Sequence, residues 1–376
     1  MIFYLTYNDA PSGIFSSQVI DVVKYLNKEL KADIKLVSFV SIRDFFKNKK
    51  KIQAELPEAI VLPMFPGVHR WKLNVFILFL LALIYKPTVI MGRSVLATQL
   101  ALRIKKKSTV KQVVYDGRGA ISAEWKEYGV ITHPKMLQEI DELESQVVNE
   151  SDFRIAVSEQ LVSYWQTQYN YKLSKHVIIP CTLNPIFENV DVSENSIKKS
   201  RDLLGFKADE IIFVYSGSIA GWQSFELLND FLNKNLASSS KHKVLFLSEM
   251  DKHISELQKK FPLQVLNKKV HQTEVPNYLL AGDYGILIRE QSITNKVASP
   301  VKFAEYLCCG LGIIISENLG DYSSFVSNEQ CGLLVDQFAF SNYNKAILNK
   351  IALSSFTKKS HIHSYQTLIN QLTTTS

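Results

Sequence analysis

The sequence contains few cysteines and no long apolar run. Its four cysteines, Cys181, Cys308, Cys309 and Cys331, are too few and too irregularly spaced for a disulfide framework or a zinc site. We therefore expect thiols buried in a reducing cytosol. The longest apolar run, Val75 to Ile84, is too short to span a bilayer. The first residues are typical of a strand and have neither a basic n-region nor a cleavage site, so no signal peptide is predicted.

Positive charge is concentrated in the first part of the chain. Of the 376 residues, those from 1 to 135 include 21 Lys and Arg against 10 Asp and Glu, and the remainder includes 22 against 26. One interpretation is an ordinary solvated surface, and the other is attraction to an anionic membrane face or a phosphorylated acceptor. Nucleic acid is not an expected partner, because no recognition module accompanies the charge. We expect a cytoplasmic protein, with peripheral attachment to the inner face of the cell membrane as an open alternative.

Strand-like and helix-like segments alternate along the chain, which predicts βαβ units and parallel sheets. Strand-like apolar runs occur at residues 2–7, 33–40, 59–64, 88–91, 112–115, 154–157, 176–179, 211–215, 243–247, 263–266, 284–288, 312–315 and 332–335. They form two series, and the segment PCTLNPIF between them breaks regular structure. The prediction is an α/β fold of two Rossmann-like domains facing a central cleft. The domains are expected at residues 1–183 and 184–353, followed by a helical tail, 354–376, that packs across both.

The segment from Ala281 to Ser316 has the order strand, polar loop, helix, strand. Ser299 is predicted as the N-cap of the helix and Pro300 as its first residue. A helix that begins beyond the carboxyl end of a strand offers free N–H groups to an anion such as phosphate. Lys302 lies in its first turn and Glu305 one turn later. One ligand could therefore meet an anion site and a carboxylate together, unless these two residues form an exposed surface pair.

Three further loops follow predicted strands. Gly13 follows the first strand and permits close backbone approach to a ligand, although no GxGxxG dinucleotide fingerprint is present. The segment YDGRG places Asp116 and Arg118 after the fifth strand, where they offer a carboxylate and a guanidinium to a substrate or form a plain turn. In the segment SGSIAGWQ, Gly217 and Gly221 permit a tight turn beside a phosphate.

The segments VYSGSIAGWQ and VPNYLLAGDYGILIRE…SPVKFAEYLCCGLGIIIS resemble the C-terminal domain of a GT-B glycosyltransferase of the group 1 type, often called family 4. The SPxKxxEYLxxG pattern is similar to that of branches that build bacterial surface polysaccharides. The resemblance implies an acceptor-side N-terminal domain and a C-terminal domain that binds a nucleotide-sugar. It implies that Glu305 holds the ribose hydroxyls, and that the phosphates or base lie near Gly217, Ser218, Ser299, Pro300 and Val301.

The sequence departs from the family pattern in two places. The family has two glutamates with seven residues between them, but Val297 stands eight positions before Glu305. Glu290 or Asn295 is therefore the candidate for the sugar-contacting role. The usual Arg and Lys pair after the first strand of the C-terminal domain is also missing, so Arg289 or Lys302 is expected to supply the phosphate charge.

These features predict an enzyme that transfers a sugar from a nucleotide-sugar donor to a lipid-linked or saccharide acceptor. The resemblance implies that it does so with retention and without a bound metal or other cofactor. The predicted catalytic residues are Asp116, Arg118 and Glu290. The predicted donor-binding residues are Gly13, Gly217, Ser218, Arg289, Ser299, Pro300, Val301, Lys302 and Glu305. Two alternatives stay open: a nucleotide-sugar 2-epimerase of the same architecture, and a nucleotide-sugar-binding protein without catalysis.

Overall fold

The computed structural model describes residues 1–373, with strands and helices alternating throughout. The strands are β1 (Ile2–Tyr7), β2 (Ile34–Ser41), β3 (Ile60–Met64), β4 (Val89–Arg93), β5 (Gln112–Gly117), β6 (Phe153–Ala156), β7 (His176–Ile178), β8 (Ile211–Ser216), β9 (His242–Leu247), β10 (Val265–Lys268), β11 (Tyr284–Leu287), β12 (Gly312–Ile315) and β13 (Gly332–Leu334). The helices are α1 (Gly13–Phe15), α2 (Asp21–Glu29), α3 (Phe45–Glu55), α4 (Val75–Tyr85), α5 (Ser94–Lys105), α6 (Ile121–Tyr128), α7 (Pro134–Glu150), α8 (Glu159–Tyr169), α9 (Glu194–Leu204), α10 (Phe225–Ser238), α11 (Lys252–Lys260), α12 (Val275–Leu279), α13 (Ile293–Lys296), α14 (Val301–Cys308), α15 (Tyr322–Glu329), α16 (Lys345–Phe356) and α17 (Ile362–Thr373).

The chain forms two compact units. The first contains Met1–Thr182, Val297–Ser299 and the residues from His361 onward, and the second contains Leu183–Lys296 and Pro300–Ser360. The first unit therefore includes α17, and the second includes α16. Of the predicted tail 354–376, residues 374–376 lie outside the described part of the chain.

Each unit is built on one parallel sheet. The strand order is β3-β2-β1-β4-β5-β6-β7 in the first unit and β10-β9-β8-β11-β12-β13 in the second. In each sheet the order in which strands are added changes side once, between β1 and β4 in the first sheet and between β8 and β11 in the second. In open parallel sheets a crevice forms at such a reversal, beyond the carboxyl ends of the strands, and ligands bind there.

The inner strands of both sheets are buried because helices cover both faces, and the edge strands are partly exposed. In the first unit, one apolar cluster includes residues of α4, α5, α7 and α8, and a second cluster includes residues of α2, α3 and α17. In the second unit, the corresponding clusters include α14, α15 and α16 on one side and α10 and α11 on the other. Burial on both faces explains why the strands are nearly continuous apolar runs in the sequence.

Each predicted strand-like run coincides with an observed strand, and the predicted α/β fold is confirmed. The ends of two strands differ from the prediction in a way that matters for the site. β4 continues to Arg93 and β5 continues to Gly117, so that Asp116 lies inside a strand and not in the loop that was predicted after it. These polar residues remain in the sheet because Arg93 is paired in register with Asp116 across the two strands.

The segment Val68–Tyr85 consists of a 3-10 segment, which has a kink at Arg70, followed directly by α4. By length and composition alone it is apolar enough to cross a membrane, and only 22% of it is buried in the protein. The sequence prediction considered only the shorter apolar run that begins at Val75.

Candidate active site

The candidate donor site lies in the second unit, at the ends of β8 and β11. The loop after β8 is exposed and begins with Gly217, whose φ of +136° favours glycine. A Cβ atom on Gly217 would lie 3.2 Å from the ammonium nitrogen of Lys302. The glycine therefore leaves an open approach to this cation from the solvent side.

Two cations of this site share one neutral acceptor. Lys302 Nζ donates to Gln223 Oε1 at 2.8 Å, and Arg289 Nη2 donates to the same oxygen at 3.3 Å. All three side chains are buried, with exposed fractions of 9%, 6% and 7% for Lys302, Arg289 and Gln223. Arg289 Nη1 also donates to Asn295 Oδ1, at 3.3 Å. Burial lowers the pKa of Lys302, and the positive charge of Arg289 lowers it further. An anion bound here would offset both effects.

Aromatic side chains hold this loop and the lysine in place. The Lys302 ammonium lies 4.1 Å from the ring centroid of Tyr215, at the end of β8. The Tyr215 hydroxyl donates to the carbonyl of Ser218 at 2.5 Å, and the N–H of Ser216 donates to the Tyr306 hydroxyl at 2.7 Å. The loop after β8 is therefore fixed by one side-chain contact from the sheet and one from α14.

The helix α14 starts one residue later than the sequence predicted. Its N-cap is Pro300, no side chain caps it, and Val301 is its first residue. The prediction that Ser299 caps the helix is wrong, because its hydroxyl instead accepts a hydrogen bond from the N–H of Cys181 at 2.8 Å, within the first unit. The first N–H groups of α14 therefore have no side-chain cap to compete with an anionic ligand.

Glu305 follows Lys302 by one turn on α14. Burial raises the pKa of its carboxyl group to about 7, and the positive charge of Lys302 opposes this shift only in part. A carboxylate at this point accepts hydrogen bonds from a diol such as that of ribose. The cation pair and this carboxylate together suit a ligand with a phosphate at one end and hydroxyl groups at the other.

The position of the missing family glutamate is occupied by a core residue. Val297 is 1% exposed and lies in an apolar cluster of the first unit, and its carbonyl accepts from Ser158 Oγ at 2.8 Å. Glu290 is exposed and its N–H donates to Ser224 Oγ at 2.9 Å. It lines an open pocket of about 800 Å³ together with residues of α10 and of the segment that follows β13. Its predicted sugar-contacting role stays a prediction.

The first unit contains a second polar cluster, centred on Asp116 at the reversal of its sheet. The Tyr4 hydroxyl donates to Asp116 Oδ2 at 2.5 Å, and Arg93 Nη1 lies 3.5 Å from that oxygen. Arg118 Nη1 lies 3.4 Å from Oδ1. Asp116 is 2% exposed, and the partners of its oxygens are the buried Tyr4 and Arg93 and the partly exposed Arg118. The predicted pair Asp116 and Arg118 therefore lies together, and a small cavity of about 20 Å³ adjoins it.

Sequence reasoning missed Arg93, which also lies 3.4 Å from Asp9. The signal was present in the segment MGRS, where an arginine between glycine and serine ends an apolar strand. Gly13 was predicted near the donor, and the structure places it in the first unit, as the exposed first residue of α1. Among residues 1–373, no group of three or more His, Cys, Asp or Glu side chains is placed to hold a metal ion.

No protein-family model and no curated protein matches this chain. Solved structures match it over nearly its whole length. They include sucrose-phosphate synthase from Thermosynechococcus elongatus, with a TM-score of 0.75, 14% identity and complete coverage of both chains. The lipopolysaccharide outer core galactosyltransferase WaaB matches with a TM-score of 0.67, 13% identity and complete coverage of both chains. Anabaena HepE, solved with UDP and glucose, matches with a TM-score of 0.64, 14% identity and coverage of 97% of this chain and 92% of HepE.

A putative UDP-N-acetylglucosamine 2-epimerase from Listeria monocytogenes also matches, with a TM-score of 0.55, 10% identity and coverage of 97% of this chain and 90% of the other. At such low identity these similarities establish the fold alone. The chain has the GT-B fold that the sequence resemblance predicted.

Proposed function

We propose that this protein is a glycosyltransferase that moves a sugar from a nucleotide-sugar donor to a lipid-linked or saccharide acceptor in surface-polysaccharide synthesis. The observation that supports this most strongly is the pair of buried cations, Lys302 and Arg289, on one amide oxygen beside Gly217. Solved neighbours of the same fold support it, since one was solved with UDP and glucose and another is a lipopolysaccharide galactosyltransferase.

In this proposal the diphosphate of the donor lies over the N-terminus of α14, near Gly217 and Ser218. When the bond between the sugar and the phosphate breaks, negative charge develops on the departing diphosphate. Lys302, Arg289 and the first N–H groups of α14 stabilise that charge from fixed positions, and we expect no metal ion to be needed. Glu305 accepts hydrogen bonds from the ribose hydroxyls and so sets the register of the nucleotide.

The acceptor side of the reaction is assigned to the cluster in the first unit. Asp116 holds the guanidinium groups of Arg93 and Arg118, since each lies within 3.5 Å of one of its oxygens. Arg118 is then the group that meets the substrate, and Asp116 acts by orienting it. We expect the sugar to be transferred with retention of its anomeric configuration.

The test is to incubate the protein with a panel of nucleotide-sugars, with and without a membrane extract, and to follow nucleoside diphosphate release and donor identity. Release that depends on the extract supports transfer. Conversion of the donor to its epimer without an acceptor supports the alternative of a 2-epimerase, which the matching putative epimerase structure favours. Tight binding with neither outcome supports a nucleotide-sugar-binding protein without catalysis, an alternative that the buried Val297 keeps open.

A further inference from the structure

One face of α4 is apolar and exposed to solvent. The exposed residues recur three, four or seven positions apart, so they lie along one side of the helix. They are Leu73 (59% exposed), in the turn before the helix, and Phe76 (66%), Leu80 (43%), Leu83 (48%) and Ile84 (72%). The opposite side packs into the core of the first unit, where Leu78 and Ala82 are fully buried. The whole helix contains no charged residue.

A helix that only covers a sheet normally presents polar residues to water on its outer side. Here the outer side is as apolar as the inner side, and exposed apolar patches of this kind mark interaction surfaces. The patch is confined to one helix, and Phe76 and Ile84 lie two turns apart at its two ends.

The surroundings of α4 are positively charged. From Ala59 to Tyr115 the sequence contains no Asp or Glu and nine Lys and Arg. Arg70, in the 3-10 segment before α4, and Lys86, directly after α4, are both exposed. Further exposed cations, Arg103, Lys106 and Lys107, lie at or just beyond the end of α5, the helix that packs against α4. An acid does lie beside this face, since Glu139 of α7 pairs with Lys72 at 2.8 Å, but exposed cations predominate around it. An apolar face bordered mainly by cations matches the boundary of an anionic bilayer, with its acyl chains below and its phosphate groups above.

We propose that the exposed face of α4 docks into the surface of an anionic membrane, with the helix lying in the membrane plane. A transmembrane orientation is ruled out because Leu78 and Ala82 hold α4 in the core of its own unit. Membrane docking is argued independently of the proposed function. Only its role, which is to bring the enzyme to a lipid-linked acceptor, rests on that function.

The test is flotation of the purified chain with vesicles of phosphatidylcholine, alone or mixed with phosphatidylglycerol. The wild type is expected to bind the mixed vesicles, and added salt is expected to weaken this binding. The double variant Phe76→Ser and Ile84→Ser should bind these vesicles at least roughly tenfold more weakly, because two apolar side chains no longer enter the membrane. The matched control is Phe46→Ser, which removes an aromatic side chain that is 83% exposed on α3, on the other side of the sheet, and should bind as the wild type does.

A second variant measures insertion directly. In Phe76→Trp, the new indole should be quenched by brominated lipid in mixed vesicles, beyond any quenching of the wild type. The proposal is overturned if the double variant keeps wild-type vesicle binding, if the indole is not quenched, or if light scattering shows a wild-type dimer that the double variant abolishes. The last result would assign the face to a second copy of the chain.

Donor binding in solution separates this inference from the proposed function. If the double variant loses vesicle binding but keeps its nucleotide-sugar affinity and its thermal unfolding, the docking face is supported, whether or not any sugar is transferred. Vesicle binding by a wild type that binds no nucleotide-sugar would refute the proposed function and leave the docking face standing.

Discussion

Lys302 and Arg289 donate hydrogen bonds to the same oxygen of the Gln223 amide, at 2.8 Å and 3.3 Å. Two buried cations on one neutral acceptor repel each other, and the charge of Arg289 contributes to the lowered pKa of Lys302. An anionic ligand would offset this repulsion. The arrangement therefore favours ligand binding at the expense of the stability of the free protein.

Replacing Lys302 by Met should weaken binding of the nucleotide-sugar by roughly 1.5 to 3 kcal/mol, the usual contribution of a hydrogen bond to a charged group. Thermal stability should be unchanged or higher, because burial already lowers the pKa of this lysine and penalises its charge. Calorimetric titration and thermal unfolding measure the two effects. Lys296→Met, an exposed lysine of α13, is the matched control and should bind the donor as the wild type does. Equal affinity in both variants would remove Lys302 from the site.

Replacing Gln223 by Glu should move stability and binding in opposite directions. A carboxylate between Lys302 and Arg289 neutralises their repulsion, so the melting temperature should rise. The same carboxylate occupies the place of the diphosphate charge, so donor affinity should fall at least tenfold, or roughly 1.4 kcal/mol. Gln366→Glu adds the same charge at an exposed position of α17 and should change neither property. A Gln223→Glu variant that binds the donor normally would show that no anion is held there.

Donor affinity should increase with pH through the titration of Glu305. Burial raises the pKa of this carboxyl to about 7, and the ribose hydroxyls donate to its ionised form. Between pH values of about 6 and about 8 the ionised fraction rises roughly tenfold, and affinity should rise with it. A nucleotide-sugar is the ligand to use, because its diphosphate does not titrate in this range. The variant Glu305→Gln should lose this rise. Any decrease in donor affinity with increasing pH in this variant would report loss of charge from Lys302. A rise that persists in Glu305→Gln would assign the titration to another group.

Replacing Asp116 by Asn should destabilise the first unit without altering donor binding. The change leaves the buried Arg93 with Asp9 as its remaining carboxylate and takes the carboxylate away from Arg118, and loss of one partner of a buried ion pair costs about 3 to 5 kcal/mol. Tyr4→Phe removes one hydrogen bond and keeps the charge, so it should cost only about 1 kcal/mol. Denaturant unfolding distinguishes the two variants. If Asp116→Asn unfolds like the wild type, the carboxylate does not hold the two arginines.

The fold was largely predictable from the sequence, because strands buried on both faces are continuous apolar runs whose positions need no knowledge of distant contacts. The errors lie where a polar residue remains inside the sheet. Arg93 and Asp116 extend β4 and β5 because they face each other in register, and a single strand read alone does not reveal its neighbour.

The site was predictable in part. Lys302, Glu305 and Gly217 could be proposed from the sequence because a helix start and a glycine loop after a strand each have a local signature, and the structure places Gly217 beside Lys302. The role of Gln223 was not found, because its contact with Lys302 joins residues 79 positions apart. Ser299 was misread because a serine before a helix is usually its cap, and only the structure shows that its hydroxyl is engaged by the N–H of Cys181.

The most direct test of the central claim is titration of the wild type and of Glu305→Ala with the nucleotide-sugar that the wild type binds, together with thermal unfolding of both. Glu256→Ala, which removes an exposed carboxylate of α11, is the control. We predict that Glu305→Ala folds like the wild type and binds the donor at least tenfold more weakly, a loss of roughly 1.4 kcal/mol or more. Unchanged donor affinity in a folded Glu305→Ala would contradict the account, because the ribose would then not lie on this carboxylate.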